Sequence, residues 1–301
     1  MNTVGERAHP ARQALTAVAL RAAVWLASAV PLPLAYRVAR VVGLATWVMW
    51  PGGRRRSIAN MLHVAAGDPA RARRYARASF AYYGTYLVDF LRFGTLEPQA
   101  IAGAVDFNEW GALEAQRTGN GIVFVTLHFG NWDLAGAAIA QHMPLTAIAD
   151  TFDNPAVDRV VVSARRRLGM RIIAAESPGP EVLRALRRND VLAALADVPR
   201  AEGGVRVEFF GAPLDVPDGI ARIALRTGAP VIVGGIWRKG PIATRYGASV
   251  ETVHFQPTDD RSADVRGLTQ AMMHALERLV LRAPEQWYIF RALWFEDARR
   301  R

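Results

Sequence analysis

A histidine and an aspartate near the middle of the chain have the types and spacing for acid–base chemistry. Residues 121–136 read GIVFVTLHFGNWDLAG, so His128 ends an apolar run and Asp133 follows in an HxxxxD pattern. A neutral histidine can accept a proton from a hydroxyl group, because its unperturbed pKa lies near neutrality. A carboxylate on the other ring nitrogen would stabilise the imidazolium. The pair predicts a general base, His128, oriented by Asp133. The alternative is that His128 is a core residue and Asp133 only caps a helix.

The sequence lacks the patterns that a covalent nucleophile or a catalytic metal site would require. The chain has no cysteine, and no serine lies in a G-x-S-x-G turn. A histidine–aspartate base without an enzyme nucleophile suits direct attack by a substrate hydroxyl on an activated acyl group. The six histidines also lack a ligand spacing such as H-E-x-x-H, so no catalytic metal is expected.

The surrounding pattern predicts where this pair lies. Residues 122–129 are mostly β-branched, aromatic or leucine, which is typical of a strand buried on both faces of a parallel sheet, and 134–141 favour a helix. Alternating strand and helix patterns follow, including a strand that stops at Asp197. Residues 198–219 are rich in glycine, proline and charged residues, and two more strands are predicted at 231–238 and 245–255, the second of them near the sheet edge. The sequence predicts an α/β fold with a mostly parallel central sheet flanked by helices. Open sheets of this kind place their chemistry at the carboxyl ends of strands.

The first fifth of the chain differs from the rest in charge and hydropathy. Of the net charge of +10, residues 1–60 contribute eight arginines and a single acid, interleaved with apolar residues. This pattern favours an anionic membrane surface over nucleic acid as a partner. The apolar runs at 14–36 and 41–53 fall short of the roughly 20 uninterrupted residues of a spanning helix. We therefore predict a helical membrane-docking segment at 1–60, peripheral rather than spanning, followed by an α/β domain at 61–301.

A helix predicted over 68–94 carries an aromatic stripe. Two interpretations stay open, a core face or the wall of a lipid-binding groove. Its members are Tyr75, Phe80, Tyr83, Leu87, Phe90 and Leu91.

Several short motifs occur in one order across residues 20–294. They are LHFGNWD at 127–133, RRRLG at 165–169, LAD at 195–197, GVRVEFFG at 204–211, IARIALRTGAPV at 220–231 and PEQW at 284–287. In these motifs the chain resembles the glycerolipid and lysophospholipid acyltransferases, and within them the bacterial lipid A lauroyl/myristoyl and phosphatidylinositol mannoside acyltransferases. The resemblance implies transfer of a fatty acyl chain from acyl-CoA or acyl carrier protein to a hydroxyl of a membrane lipid or glycolipid. It places the enzyme at the cytoplasmic face of the cytoplasmic membrane, with the thioester as co-substrate and no other cofactor.

The resemblance also implies roles for individual residues. In the mannoside acyltransferases a glutamate of the second motif region is thought to support the histidine, which makes Glu202 and Glu208 rivals of Asp133. The expected substrate-binding residues are Asn131, Asp197, three arginines that suit phosphate groups and two aromatic residues of the acyl-chain groove. The arginines are Arg165, Arg167 and Arg200, and the aromatic residues are Phe209 and Phe210. The alternatives are solvated helix charges for the arginines and core positions for the phenylalanines.

One departure from the family pattern and two other functions stay open. The closing segment WYIFRALW lacks the histidine often found between its tryptophans, so headgroup specificity does not transfer from the family. A lipid-binding protein without activity, or an esterase or thioesterase that uses water, would carry the same motif.

Overall fold

The computed structural model describes residues 10–176, 178–197 and 204–294. Its first third is helical. The four long helices are α1 (Pro10–Ala29), α2 (Leu32–Met49), α3 (Pro51–Val64) and α4 (Pro69–Arg92). Asp68 caps α4, since its carboxylate accepts hydrogen bonds from the backbone N–H groups of Ala70 and Arg71 at 2.9 and 3.0 Å.

Helices α2 and α4 pack with their backbones nearly in contact. A Cβ atom on Gly43 would lie 2.2 Å from the carbonyl oxygen of Phe80, and one on Gly84 would lie 2.3 Å from that of Ala39. Any side chain at either glycine would therefore push the helices apart. The N-terminal helices are thus built into the fold by close packing with α4.

A buried ionic cluster joins these helices to the sheet. The Asp89 carboxylate on α4 pairs with Arg238 and accepts hydrogen bonds from the hydroxyls of Tyr36 on α2 and Tyr246. The guanidinium carbon of Arg238 also lies 4.2 Å from the centre of the Tyr36 ring. Burial, followed by the charge of Asp89, raises the pKa of Tyr36, so this phenol stays a hydrogen-bond donor.

The rest of the chain forms a seven-stranded sheet with helices on both faces. Its strands are β1 (Val105–Asp106), β2 (Ile122–Thr126), β3 (Leu145–Ala149), β4 (Met170–Ala174), β5 (Val191–Leu195), β8 (Val231–Arg238) and β9 (Tyr246–Val253). A separate antiparallel hairpin consists of β6 (Val205–Phe209) and β7 (Ala212–Val216). The helices are α5 (Pro98–Ala104), α6 (Trp110–Ala115), α7 (Trp132–His142), α8 (Pro155–Arg167), α9 (Gly179–Arg187), α10 (Gly219–Thr227) and α11 (Arg261–Val280).

The strand order is β1-β9-β8-β2-β5-β3-β4, and all neighbours are parallel except β8 and β9. Strand β2 lies in the middle and is buried at all five positions. Its alternate residues enter two separate apolar clusters, Val123 and Val125 on one face and Ile122 and Phe124 on the other. The predicted fold class, including the strand buried on both faces, is confirmed.

The structure adds detail in two places. The segment 198–219, described from the sequence only by its composition, contains β6 and β7, whose buried and exposed residues alternate as the period of a strand requires. The strand predicted over 245–255 near the sheet edge is β9, and only the two-residue strand β1 lies outside it. The domain boundary at residue 60 stays a prediction, and it falls inside α3.

Within the described residues, α2 is the one helix long and apolar enough to cross a membrane by length and composition. Only 22% of that 18-residue stretch is buried inside the protein. The rest of this helix faces outward and is not covered by other described parts of the protein.

Candidate active site

His128 lies just beyond the carboxyl end of β2, next to the end of β5. The two strands pair in parallel from Ile122 opposite Val191 to Thr126 opposite Leu195. Continuing this register brings Asp197 beside the histidine. The ring Nδ1 lies 2.8 Å from Oδ1 of Asp197, and the backbone N–H of His128 donates to Oδ2 at 2.9 Å. Asp197 therefore fixes both the ring and the backbone of His128.

The closing PEQW segment holds this pair from the other side. The indole Nε1–H of Trp287 donates to Oδ2 of Asp197 at 3.0 Å, and the backbone N–H of Tyr288 donates to the carbonyl of His128 at 2.8 Å. Trp287 is fully buried. Three hydrogen bonds therefore immobilise the Asp197 carboxylate, which is the arrangement that a group orienting an imidazole needs.

A glycine allows the turn after His128 to pass close to β8. Gly130 has a φ of +59°, and a Cβ atom there would lie 1.7 Å from the carbonyl oxygen of Ile236. Only glycine fits this position. Its N–H donates to the carbonyl of Gln286 at 2.8 Å, so the turn is also tied to the PEQW segment.

The electrostatics of the pair favour an ionised Asp197. Burial by itself lowers the pKa of His128, but the charge and hydrogen bond of Asp197 outweigh it and hold that pKa above the usual value. Arg291 lowers it and Asp150 raises it to smaller extents. Burial tends to raise the pKa of Asp197, yet the His128 charge and the three hydrogen bonds keep it below its usual range. The ionised Asp197 therefore stabilises the protonated form of the His128 imidazole in place.

His128 opens onto a large cavity. Its side chain is 32% exposed, and it lines a cavity of about 1350 Å³ on the carboxyl side of β2, β5 and β3. The ring of Trp132 meets the imidazole edge to face at a centroid distance of 5.0 Å. This geometry leaves the imidazole accessible from the cavity while its Nδ1 stays engaged.

The deep part of the cavity is apolar and lies between α7 and the sheet. Its lining there includes Phe124, Ile139, Leu145 and Met170. A pocket of this size and lining suits a long hydrocarbon chain.

The aromatic stripe of α4 divides between the two expected roles. Tyr83, Leu87 and Phe90 line the cavity, whereas Phe80 is buried in the core and Tyr75 packs against it. The stripe is therefore partly core and partly cavity wall, and binding of lipid in the cavity stays a prediction.

Asp133 does not contact the imidazole, which corrects the predicted His128–Asp133 pair. Its Oδ1 accepts from Nε of Arg165 at 2.9 Å and lies 2.8 Å from Nη2, and its Oδ2 accepts from the Tyr86 hydroxyl at 2.9 Å. Asp133 lies in the first turn of α7, so its side chain projects toward α4 and α8. The motif aspartate joins three helices, while Asp197, which was expected to bind substrate, takes the orienting position.

Asn131 and Arg167, two expected substrate ligands, are also used inside the fold. Asn131 is buried and caps α7, accepting from the N–H of Leu134 at 3.0 Å and donating to Asp89 at 3.2 Å. Arg167 donates to the carbonyls of Gly94 and Leu96 at 2.8 and 2.6 Å. Both side chains serve the connection between helices, so we do not assign them to substrate.

The second motif region contributes core residues. Phe209 is fully buried against Trp287 and Trp294, and Phe210 packs on Trp287, so neither belongs to the cavity lining. Glu208 is exposed on β6, where its backbone pairs with the side chain of Gln270. Glu202 and Arg200 lie outside the described residues, and their predicted roles stay predictions.

Two contributors were missed from the sequence as parts of the site. One is Trp287, which was noted only within a motif, and the other is Arg291 at the cavity mouth. A signal for the Asp197 position was present, since β2 and β5 are each followed by one apolar residue, Leu127 or Ala196, and then by His128 or Asp197. Within the described part of the chain, no group of three histidine, aspartate or glutamate side chains could hold a metal ion.

Comparison with known proteins identifies a family. The family model described as bacterial lipid A biosynthesis acyltransferase matches residues 6–296.

Individual relatives carry similar descriptions. The phosphatidylinositol mannoside acyltransferase of Mycobacterium tuberculosis H37Rv is 29% identical over 259 residues, which cover 82% of this chain and 78% of the relative. That of Mycolicibacterium smegmatis is 29% identical over 256 residues, covering 82% and 81%. The lipid A biosynthesis acyltransferase of Haemophilus influenzae is 28% identical over 178 residues, covering 58% and 54%.

Proposed function

Because the chain belongs to the bacterial lipid A biosynthesis acyltransferase family, we propose that it transfers a fatty acyl chain from a thioester to a hydroxyl of a membrane lipid or glycolipid. The donor would be acyl-CoA or an acyl carrier protein thioester. The single observation that carries this proposal is the His128–Asp197 pair on the wall of an apolar cavity of about 1350 Å³. The curated relatives named for phosphatidylinositol mannoside and lipid A favour a glycolipid as acceptor.

The proposed reaction uses the two ring nitrogens of His128 differently. Nδ1–H donates to Asp197, which leaves Nε2 unprotonated and able to take the proton of the acceptor hydroxyl. The hydroxyl oxygen then forms a bond to the thioester carbonyl carbon. As the tetrahedral intermediate collapses, the C–S bond breaks and the imidazolium returns its proton to the leaving thiolate. No enzyme nucleophile is needed.

The acyl chain would occupy the apolar part of the cavity between α7 and the sheet. Burying a methylene group there contributes about 0.8 kcal/mol, so a long chain is bound much more tightly than a short one. The reacting carbonyl would then lie near His128, where the apolar lining gives way to polar groups, among them Asp150 and Arg291.

The exposed apolar face of α2 would dock the protein on the membrane. Leu34, Val38, Val41, Val42 and Val48 are each at least half exposed, and Arg37 is exposed on the same helix. Apolar side chains would enter the lipid layer while arginines contact anionic headgroups. We propose the cytoplasmic face of the cytoplasmic membrane, because CoA and carrier-protein thioesters are cytoplasmic donors.

The experiment compares thiol release from palmitoyl-CoA with and without a membrane lipid extract as acceptor. We expect acceptor-dependent release and a new acylated lipid by mass spectrometry. His128→Ala should abolish both while the thermal unfolding profile is retained, and His274→Ala, an exposed histidine on α11, should behave like the wild type. Equal thiol release with and without acceptor would instead identify a hydrolase. Full activity of His128→Ala would refute the assignment of His128 as the general base.

A further inference from the structure

Three arginines line the large cavity, and within the described residues one of them is paired with a carboxylate. Arg165 is paired with Asp133 inside the fold. Arg56 and Arg291 have no carboxylate partner among residues 10–176, 178–197 and 204–294. A cation without a counter-charge at the wall of a substrate cavity is available to an anionic ligand.

The two arginines are held next to each other by the backbone. Nε of Arg56 donates to the carbonyl of Phe290 at 2.9 Å, and Arg291 is the next residue. The guanidinium of Arg56 also lies 5.4 Å from the ring centre of Trp50. One hydrogen bond and one ring contact thus orient Arg56, while its terminal nitrogens donate no hydrogen bond to the part of the chain that the structure describes.

A buried asparagine fixes the segment that carries Arg291. Nδ2 of Asn60 donates to the carbonyls of Arg291 and Ile289 at 2.7 and 3.3 Å, and its Oδ1 accepts from the N–H of Leu293 at 3.2 Å. Three residues before Arg291, the backbone N–H of Tyr288 donates a hydrogen bond to the backbone carbonyl of His128. The position of Arg291 is therefore set relative to His128 rather than left to a free loop.

Building on the acyl transfer proposed above, we propose that Arg56 and Arg291 bind a phosphate group of a substrate at the mouth of the cavity. Two guanidinium groups match the geometry of a phosphate, and neither has to give up an ion pair with a described residue to bind it. The expected phosphate ligands Arg165 and Arg167 would have to break contacts inside the fold.

The acidic residues at the cavity mouth either lie away from Arg56 and Arg291 or are already paired. Asp150 also lines the cavity, but it follows β3, two strands away from β2 in the sheet. Asp218 is held by Arg222 at 2.7 Å. A phosphate would thus be attracted to the side of Arg56 and Arg291 and repelled from the end of β3.

The phosphate could belong to either substrate. A CoA or carrier-protein donor brings the phosphate of its pantetheine arm, and an anionic acceptor brings a lipid headgroup phosphate. Both present the same chemistry to the two arginines, so the experiment needs one arm for each source.

Binding is measured by calorimetry in the inactive His128→Ala background, which separates the site from turnover. The donor arm compares decanoyl-CoA with decanoyl-pantetheine, which lacks phosphate. The acceptor arm compares phosphatidylinositol with diacylglycerol in mixed micelles. The substitutions are Arg291→Gln and Arg56→Gln, with Arg291→Lys as a charge-retaining variant and Arg266→Gln, an exposed arginine on α11, as the matched control.

We expect Arg291→Gln and Arg56→Gln each to weaken binding of the phosphate-bearing probe in one arm by about tenfold, which corresponds to losing one charged hydrogen-bonding group. Arg291→Lys should recover part of the loss, and probes without phosphate should bind as before. The arm that responds identifies the source. Unchanged binding in both arms, or an equal loss with probes lacking phosphate, would overturn the site. Absence of acyl transfer by the wild type would count against the proposed function alone.

Discussion

Asp197 and His128 occupy matching positions at the ends of two paired strands. Each comes two residues after the last paired residue of its strand, Leu195 in β5 and Thr126 in β2. The distance of 2.8 Å between Nδ1 and Oδ1 is therefore a consequence of the parallel register. A sheet places this pair more rigidly than a loop would, because the strands cannot shift without losing their ladder of hydrogen bonds.

Asp197→Asn should lower the turnover number by about 100-fold or more, since the imidazolium loses its counter-charge and the ring loses its fixed tautomer. The pH dependence gives a second readout. His128 must be neutral to act, so wild-type activity rises with pH through a pKa that Asp197 holds above the usual value. Without that charge the acid limb of the profile should move to lower pH. The measurement is the pH profile of thiol release.

The matched control for this change is Asp215→Asn, whose carboxylate pairs with Arg206 on the exposed hairpin. It should leave both rate and profile unchanged. An acid limb that stays in place in Asp197→Asn, with the fold intact, would show that Asp197 does not set the pKa of His128.

Asp133→Ala should act on stability rather than on the pH profile. It removes the partner of Arg165 and of the Tyr86 hydroxyl in a buried position, and breaking such a pair lowers the free energy of unfolding by about 3–5 kcal/mol. The double variant Asp133→Leu with Arg165→Leu should recover much of this loss. Chemical denaturation provides the measurement. A shifted acid limb in Asp133→Ala would instead return Asp133 to the role of orienting His128.

Gly136→Val should shorten the acyl chain that the enzyme prefers. A Cβ atom at Gly136 would lie 2.9 Å from the sulfur of Met170 and 3.5 Å from a methyl group of Leu145, both in the cavity lining. Losing room for two methylene groups should lower kcat/KM for palmitoyl-CoA relative to decanoyl-CoA by about tenfold. In Gly103→Val, where nothing lies within 4 Å of the new Cβ, the ratio should stay constant. A wild-type ratio in Gly136→Val would exclude the acyl chain from this part of the cavity.

Val42→Asp should weaken binding to anionic vesicles by about tenfold. In the proposed docked state the two methyl groups of Val42 enter the lipid layer, and the substitution puts a charge there instead. Val42 is 59% exposed on α2. Leu281→Asp offers a matched control, since Leu281 is 56% exposed but lies beyond the last helix, α11. The measurement is co-sedimentation with vesicles of phosphatidylcholine and phosphatidylglycerol. Added salt should weaken wild-type binding as well. Equal effects of the two substitutions would argue against docking through α2.

The sequence was sufficient for the parts that depend on local pattern. The alternation of apolar strands and helices predicted the parallel sheet, and the run 122–129 predicted its buried central strand. The histidine at the strand end followed from the same pattern.

The partner of His128 could not be obtained in this way. Asp133 is near in sequence, but a helix that starts at Trp132 turns its side chain away toward Arg165. Asp197 is 69 residues away and meets His128 only through the pairing of β2 with β5. A sequence shows that two strands exist, whereas their order in the sheet is decided by packing. The same holds for Trp287, whose indole arrives from the far end of the chain.

The cluster around Asp89 has a consequence for handling and evolution of this enzyme. Tyr36 of α2, Asp89 of α4 and Arg238 of β8 share one buried ionic network, and Asn131, the cap of α7, donates to the same aspartate. Deleting α1 and α2 to obtain a soluble fragment would therefore uncover a buried ion pair next to the active site. The N-terminal helices and the sheet should melt together as one cooperative unit, and a lineage could not exchange these helices without rebuilding the core around Asp89.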